Sequence, residues 1–216
     1  MGQVCSAAEL SVRLAAGEPA LFPTDTLPAL AASPAAADSL WRLKSRPADK
    51  PLILMGADLE QLLAWLAAAW DGPWLDQARH CWPGATTLVL PISGPTTEAL
   101  HPGGASLGLR VPACTAAREL LRCTGPLATT SANRSGEPAA RDAAEAAALF
   151  PDLPLLGPLP WPRGSGQAST VLAWMANPSA DGAPSWRVLR GGATAGGAED
   201  VWISGPGGGS ASEQAP

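Results

Sequence analysis

LKSRPADKPLILMGADLEQLLAWLAAAW, residues 43–70, carries a strand, a helix and both lysines of the 216-residue chain. Pro51-Leu52-Ile53-Leu54-Met55 is apolar at every position, so it reads as a short strand covered on both faces. The run from Asp58 to Trp70 reads as a helix, with Asp58 at its start and Asp71-Gly72-Pro73 closing it. Upstream, Lys44 ends another helix, and Arg46-Pro47 begins a loop.

The same alternation extends in both directions. Residues 6–16 read as a helix, with Ser6 as N-cap and Gly17 as the stop. Ala20-Leu21-Phe22 is a strand running into Pro23-Thr24-Asp25-Thr26. Ser33-Pro34 opens the helix that ends at Lys44, with Ala37, Leu40 and Trp41 at helical spacing. Downstream, strands are expected at 86–90, 107–111, 126–130, 154–156, 169–174 and 187–190. Helices are expected from Thr115 to about Cys123 and over about 141–149. Several strands are apolar on both faces, which argues for an α/β sheet covered by helices. From Gly191 onward Gly, Ser and Ala dominate. We therefore expect one domain over residues 1–192 and a flexible tail over 193–216.

Composition excludes several classes. Apolar residues make up 46% of the chain and charged residues 15%, enough for a sizeable core and too little charge for general disorder. Fourteen basic against 19 acidic residues give a net charge of −5, which argues against a wide basic face for nucleic acid. Cys5, Cys81, Cys114 and Cys123 form no CxxC pair, and His80 and His101 complete no zinc spacing, so no metal ligands are expected. His80-Cys81 has the residue types of a catalytic pair, but sequence neighbours rarely face each other. No leader peptide or membrane span is read, and nothing forces disulfides, so a cytoplasmic protein is expected.

Four segments gather polar groups at strand ends or in the loops that follow, where open α/β sheets bind ligands. Thr24-Asp25-Thr26 places two hydroxyls around a carboxylate, or forms a capped turn, since Thr and Asp bond nearby backbone amides. Lys44, Arg46 and Lys50 form a basic cluster suited to a phosphate chain, or a solvated helix end. Thr129-Thr130-Ser131-Ala132-Asn133 is a run of hydrogen-bonding side chains before a turn. Arg110 leaves an apolar strand and needs an anionic partner, either a ligand or an internal carboxylate. Neither GxxxxGK[ST] nor GxGxxG is present, so the P-loop and dinucleotide fingerprints are absent.

In order and spacing, these segments resemble the YrdC/TsaC-type threonylcarbamoyl-AMP synthases. The matching pieces are FPTDTL (22–27), LKSRPADKPL (43–52), WPGATTLVL (82–90), LGLRVP (107–112), TTSANRSGEP (129–138), STV (169–171) and LRGG (189–192). The family's KxR and SxN motifs correspond to Lys44-Ser45-Arg46 and Ser131-Ala132-Asn133. The resemblance implies a twisted mixed sheet flanked by helices around a concave cavity. It also implies a reaction in which L-threonine, bicarbonate and ATP, with Mg²⁺, give threonylcarbamoyl-adenylate and pyrophosphate. The product serves tRNA modification next to the anticodon, so tRNA and a threonylcarbamoyl transferase complex are the implied partners.

By the same resemblance Lys44 and Arg46 are catalytic and, with Lys50, neutralise the triphosphate. Thr129, Ser131 and Asn133 position ATP oxygens. Thr26, Ser106, Arg110 and Ser169 form the threonine site, and Arg190 joins Ser169 in closing the nucleotide side. Pro28 and Ala29 replace the family's usual aromatic residue and glycine, and Met55 stands where many members have histidine. Two other readings use the same residues: a non-catalytic RNA-binding protein, and carbamoyl-adenylate formation with a different amine. Salt-dependent tRNA binding without ATP turnover would mark the first, and turnover with another amino acid the second.

Overall fold

A computed structural model describes residues 2–193 except 46, 48–49, 68–69, 71 and 176–184. In chain order the elements are β1 (Val4–Cys5), α1 (Ala7–Ala15), β2 (Ala20–Phe22), β3 (Ala29–Ala32), a 3-10 turn (Pro34–Ala36), α2 (Asp38–Lys44), β4 (Ile53–Met55), α3 (Leu59–Leu66) and α4 (Gly72–Cys81). They continue as β5 (Thr86–Leu90), α5 (Pro95–Leu100), β6 (Leu107–Arg110), α6 (Thr115–Thr124), β7 (Leu127–Ser131), α7 (Ala143–Leu149), β8 (Leu155–Leu156), β9 (Thr170–Met175) and β10 (Ser185–Arg190).

Local chemistry accounts for the helix starts. Ser6 Oγ accepts from the Glu9 amide while the Glu9 carboxylate accepts from the Ser6 amide, a reciprocal capping box that satisfies two otherwise orphaned donors. Asp58 caps α3 through the Gln61 amide, and Asp142 caps α7 through the Glu145 amide. Ser33 makes no side-chain cap, and the helix expected there divides into the 3-10 turn and α2.

The ten strands among the described residues form one mixed sheet in the order β1-β8-β2-β3-β7-β4-β6-β5-β9-β10. The pairs β1/β8, β2/β8, β4/β6 and β5/β9 are parallel; β2/β3, β3/β7, β4/β7, β5/β6 and β9/β10 are antiparallel. The period of two sends alternate residues to opposite faces. Leu21 and Leu54 enter the larger apolar core with Leu40, Leu62, Leu88 and Leu109, while Phe22 and Met55 enter a second cluster with Leu10, Leu14, Leu120 and Leu121 of α1 and α6.

Further sequence expectations need correction. The helix expected over 58–70 stops at Leu66, where Ala67 adopts φ 46°. Gly72-Pro73, read as a terminator, instead opens α4, because proline near a helix start removes only an N–H that has no intrahelical partner. β3 was not anticipated, since Ala29-Leu30-Ala31-Ala32 has weak strand propensity; pairing with both β2 and β7 overrides it. The expected tail lies outside the described residues from 194 onward.

Candidate functional site

The register places one cross-sheet row of side chains in line: Ala31, Thr129, Ile53, Gly108, Val89 and Ala173. Four of these, Thr129, Ile53, Gly108 and Val89, line a cavity of about 440 Å³. The cavity therefore rests on the sheet itself, hollowed at Gly108. Its walls come from the loop after β2, the loop before β6, and the residues flanking β9 and β10.

The β2–β3 loop is the capped turn that the sequence offered, and its two threonines also line the cavity. Thr24 Oγ1 donates to the Leu27 carbonyl and accepts from the Thr26 amide. The two threonine hydroxyls lie 2.9 Å apart, and both residues line the cavity. Gly164 packs against this loop so closely that an added Cβ would stand 2.3 Å from the Thr26 carbonyl oxygen. The Ser165 and Gly166 amides then donate to the Asp25 and Thr26 carbonyls. The sequence reading did not pick out this bracing segment.

Arg110 finds the internal carboxylate that its burial requires. Its Nη2 donates to Asp25 Oδ1 at 2.9 Å, Nη1 to Thr26 Oγ1 at 2.8 Å and Nε to the Gly84 carbonyl at 3.0 Å. Asp25 Oδ1 also accepts from the Ala113 amide. Burial pulls the Arg110 guanidinium below its ordinary pKa, and Asp25 opposes that shift. Arginine starts so high that it remains a cation at working pH. A guanidinium has five N–H donors, so the three bonds leave capacity at the cavity wall for a ligand anion.

On the opposite side, Arg190 lays Nε and Nη2 on the Ser169 carbonyl at 3.2 and 2.9 Å. The Ser169 hydroxyl lies 2.9 Å from Thr87 Oγ1. Thr26, Ser106, Arg110, Thr129, Ser131, Ser169 and Arg190 all line the same cavity, although they are spread over five separate stretches of the chain.

Lys44 and Asn133 occupy a different place. Lys44 is 1% exposed, and its ammonium donates to the Ser131 carbonyl at 2.5 Å, the Asn133 carbonyl at 2.8 Å and Asn133 Oδ1 at 2.6 Å. Asn133 Oδ1 also accepts from the Ser131 hydroxyl, and Asn133 Nδ2 donates to the Arg134 and Glu137 carbonyls. The KxR lysine and the SxN loop thus form one hydrogen-bonded unit behind the cavity wall. Ser45, directly after Lys44, adopts φ 50°, a left-handed conformation uncommon for a non-glycine residue, as the chain turns off α2. Lys50 is exposed, and Arg46 lies outside the described residues.

Cys81 accepts from Gln77 Nε2 at 3.0 Å while His80 is exposed, so the His80-Cys81 neighbours do not pair. Burial raises the pKa of the Cys81 and Cys114 thiols, which suppresses the thiolate. The sequence reading missed His101, a cavity-lining residue whose Nδ1 is 2.9 Å from the Ser106 carbonyl. No spacing signal marks it; the Pro102-Gly103-Gly104 turn brings it in. Pro28, Ala29 and Met55, the departures noted above, also line the cavity.

Comparison with known proteins bears on the family and the fold. The chain is 36% identical over 123 residues to a threonylcarbamoyl-AMP synthase of Pseudomonas aeruginosa, a match covering 56% of this chain and 66% of that protein. It is 38% identical over 137 residues to the enzyme of the same name from Idiomarina loihiensis, covering 61% and 73%. Among solved structures, P. abyssi Sua5 complexed with L-threonine superposes with a TM-score of 0.71 at 30% identity, covering 77% of this chain. The present chain spans half of that protein's length (50%). The Sua5/YciO/YrdC family model, described as "Telomere recombination", matches residues 13–192. That match runs through every strand from β2 to β10 and every cavity-lining residue, and the chain belongs to the Sua5/YciO/YrdC family.

Proposed function

We propose that this chain is a threonylcarbamoyl-AMP synthase, joining L-threonine, bicarbonate and ATP into threonylcarbamoyl-adenylate with release of pyrophosphate. One observation carries the reading: a buried arginine, Arg110, faces a hydroxyl-lined cavity of about 440 Å³ in a chain whose named relatives are such synthases. That volume lies within the usual range for small-molecule sites.

The chemistry suits this lining. Threonine's amine becomes a carbamate, and a carbamate oxygen attacks the α-phosphorus of ATP. The substrate supplies the nucleophile, so the protein's part is to position and to stabilise charge. Arg110, with Thr26 and Ser106, would hold the threonine carboxylate end, and Thr129, Ser131 and Arg190 would border the nucleotide. Arg46 and Lys50 would meet the phosphates, with Lys44 holding the loop beside them. Mg²⁺ would arrive on the nucleotide as part of the substrate. Among the described residues no group of three His, Cys, Asp or Glu side chains fits a resident ion. The product would pass to tRNA modification in the cytoplasm, and no helix among the described residues is long and apolar enough to cross a membrane.

The test is pyrophosphate release, with the adenylate identified by mass spectrometry. Release is expected to require both threonine and bicarbonate and to fall about 100-fold in Arg46→Ala, the scale of losing one charge-stabilising group. Release that ignores threonine, or follows another amine, would sink the reading.

Gly108 provides a steric check. A Cβ there would make ordinary contacts, 3.5 Å from Ile53 and Thr87 side-chain carbons, so the strand accepts a larger residue. Gly108→Val would instead occupy the cavity floor. Ligand affinity is expected to fall about 10-fold or more while stability changes by less than about 1 kcal/mol. Calorimetric titration and urea denaturation measure the two quantities separately.

A further inference from the structure

We propose that His101 Nε2 is the proton acceptor for the amine of threonine during carbamate formation; this rests on the adenylation reading above. The side-chain inventory points to it. Apart from apolar groups, the residues lining the cavity contribute serine and threonine hydroxyls, Arg110, Arg190 and His101. Arginine does not release its proton in this range, and an alcohol is a poor base. Histidine is the side-chain type that exchanges a proton near neutral pH. Among the described residues none that lines the cavity is Asp, Glu, Lys or Cys, and the chain has no Tyr.

The local geometry prepares the ring for that task. The partner of His101 Nδ1 is the Ser106 carbonyl at 2.9 Å, and a carbonyl oxygen can only accept. Nδ1 therefore carries hydrogen, and in the neutral ring the lone pair is on Nε2. The loop closes on the imidazole: the Gly104 amide donates to the His101 carbonyl at 2.8 Å, and a Cβ at Gly104 would fall 2.2 Å from Nδ1. Only glycine allows the backbone this close to the ring. Ser106 itself lines the cavity, so the ring is anchored to the wall assigned to threonine.

Among the described residues, the charged groups of the surrounding elements are these. Arg110 comes from β6 and is paired with Asp25, and Arg190 comes from β10. Glu98 of α5 accepts from the Gly103 amide, and Lys50, before β4, is exposed.

The step balances as follows. Threonine enters as an ammonium and bicarbonate as HCO₃⁻. The N–C bond forms as the C–OH bond of bicarbonate breaks, and two protons leave the nitrogen. One departs with the hydroxyl as water. The other moves to His101 Nε2 and then to solvent, leaving the carbamate anion. Nothing is oxidised or reduced.

The test compares wild type with His101→Asn and His101→Gln in threonine- and bicarbonate-dependent pyrophosphate release across about pH 6 to 9, a range that brackets histidine titration. Asparagine keeps an N–H for the Ser106 carbonyl but provides no base. For His101→Asn we expect kcat/KM for threonine to fall about 100-fold, in line with loss of a general base. The acidic limb of the pH profile should disappear, and KM for ATP should stay unchanged. Should His101→Asn fail to fold, His101→Gln carries the same kinetic comparison. A ¹⁵N-histidine spectrum of His80→Gln, which leaves one histidine, should show the Nδ1–H tautomer without reliance on activity. Wild-type kinetics in the variants, a uniform loss that keeps the acidic limb, or an Nε2–H tautomer would overturn the assignment. If wild type itself releases no pyrophosphate with threonine, the adenylation reading fails first and takes this one with it.

Discussion

Lys44→Met is expected to destabilise the protein by about 3 kcal/mol and to reduce threonine-dependent pyrophosphate release by at least about 100-fold. The destabilisation follows from the acceptors left behind. The Ser131 carbonyl, the Asn133 carbonyl and Asn133 Oδ1 all face the ammonium of a side chain that is 1% exposed. Methionine supplies no donor, so the two carbonyls lose this partner while Asn133 Oδ1 keeps the Ser131 hydroxyl, and leaving a buried acceptor unpaired costs about 1–3 kcal/mol. Lys44→Arg should not rescue the loss. An ammonium is a compact donor that can meet three clustered oxygens, whereas a guanidinium is a wide planar fork. Urea denaturation followed by tryptophan fluorescence gives the stability term. Hydrogen exchange at residues 131–137 should show loosened amides in the variant. If stability and exchange stay at wild-type values while activity disappears, Lys44 acts on the nucleotide alone and its structural role is refuted.

Arg110→Leu is the second large effect. Asp25 and Arg110 are 18% and 5% exposed at their side chains, and breaking a buried pair by removing one partner costs about 3–5 kcal/mol. The Thr26 hydroxyl and the Gly84 carbonyl lose a donor at the same time. Arg110→Lys separates folding from binding, because it retains the charge without the fork. It should recover part of the stability while KM for threonine stays raised by about 10-fold or more, as expected when a charged hydrogen bond to substrate is lost. Equilibrium unfolding and steady-state kinetics on both variants check this. A lysine variant with wild-type KM would show that Arg110 braces the β2–β3 loop and does not touch threonine.

Much of the architecture is legible residue by residue. The capping groups Ser6, Asp58 and Asp142 each act within three residues of themselves, so their effect is visible in the local sequence. Strand 86–90 appears where its apolar run stands, and strand 107–110 ends one residue short of the expectation. β3 escaped because its alanines carry little strand preference of their own. It is a strand because Ala29–Ala32 find partners in β7, about 100 residues downstream in the chain.

The candidate site divides along the same line. The sequence by itself determined the chemical types available: hydroxyls at Thr26, Ser106, Thr129, Ser131 and Ser169, and cations at Lys44, Arg110 and Arg190. Only the tertiary structure decided how they are used. It turns Lys44 toward a loop 87 to 89 residues away, couples Arg110 to Asp25 85 residues away, and brings His101 into the cavity through a turn with no periodic signal. The physical reason is that burial and pairing belong to two partners at once. A sequence displays each partner separately, and the sheet register decides which of them meet.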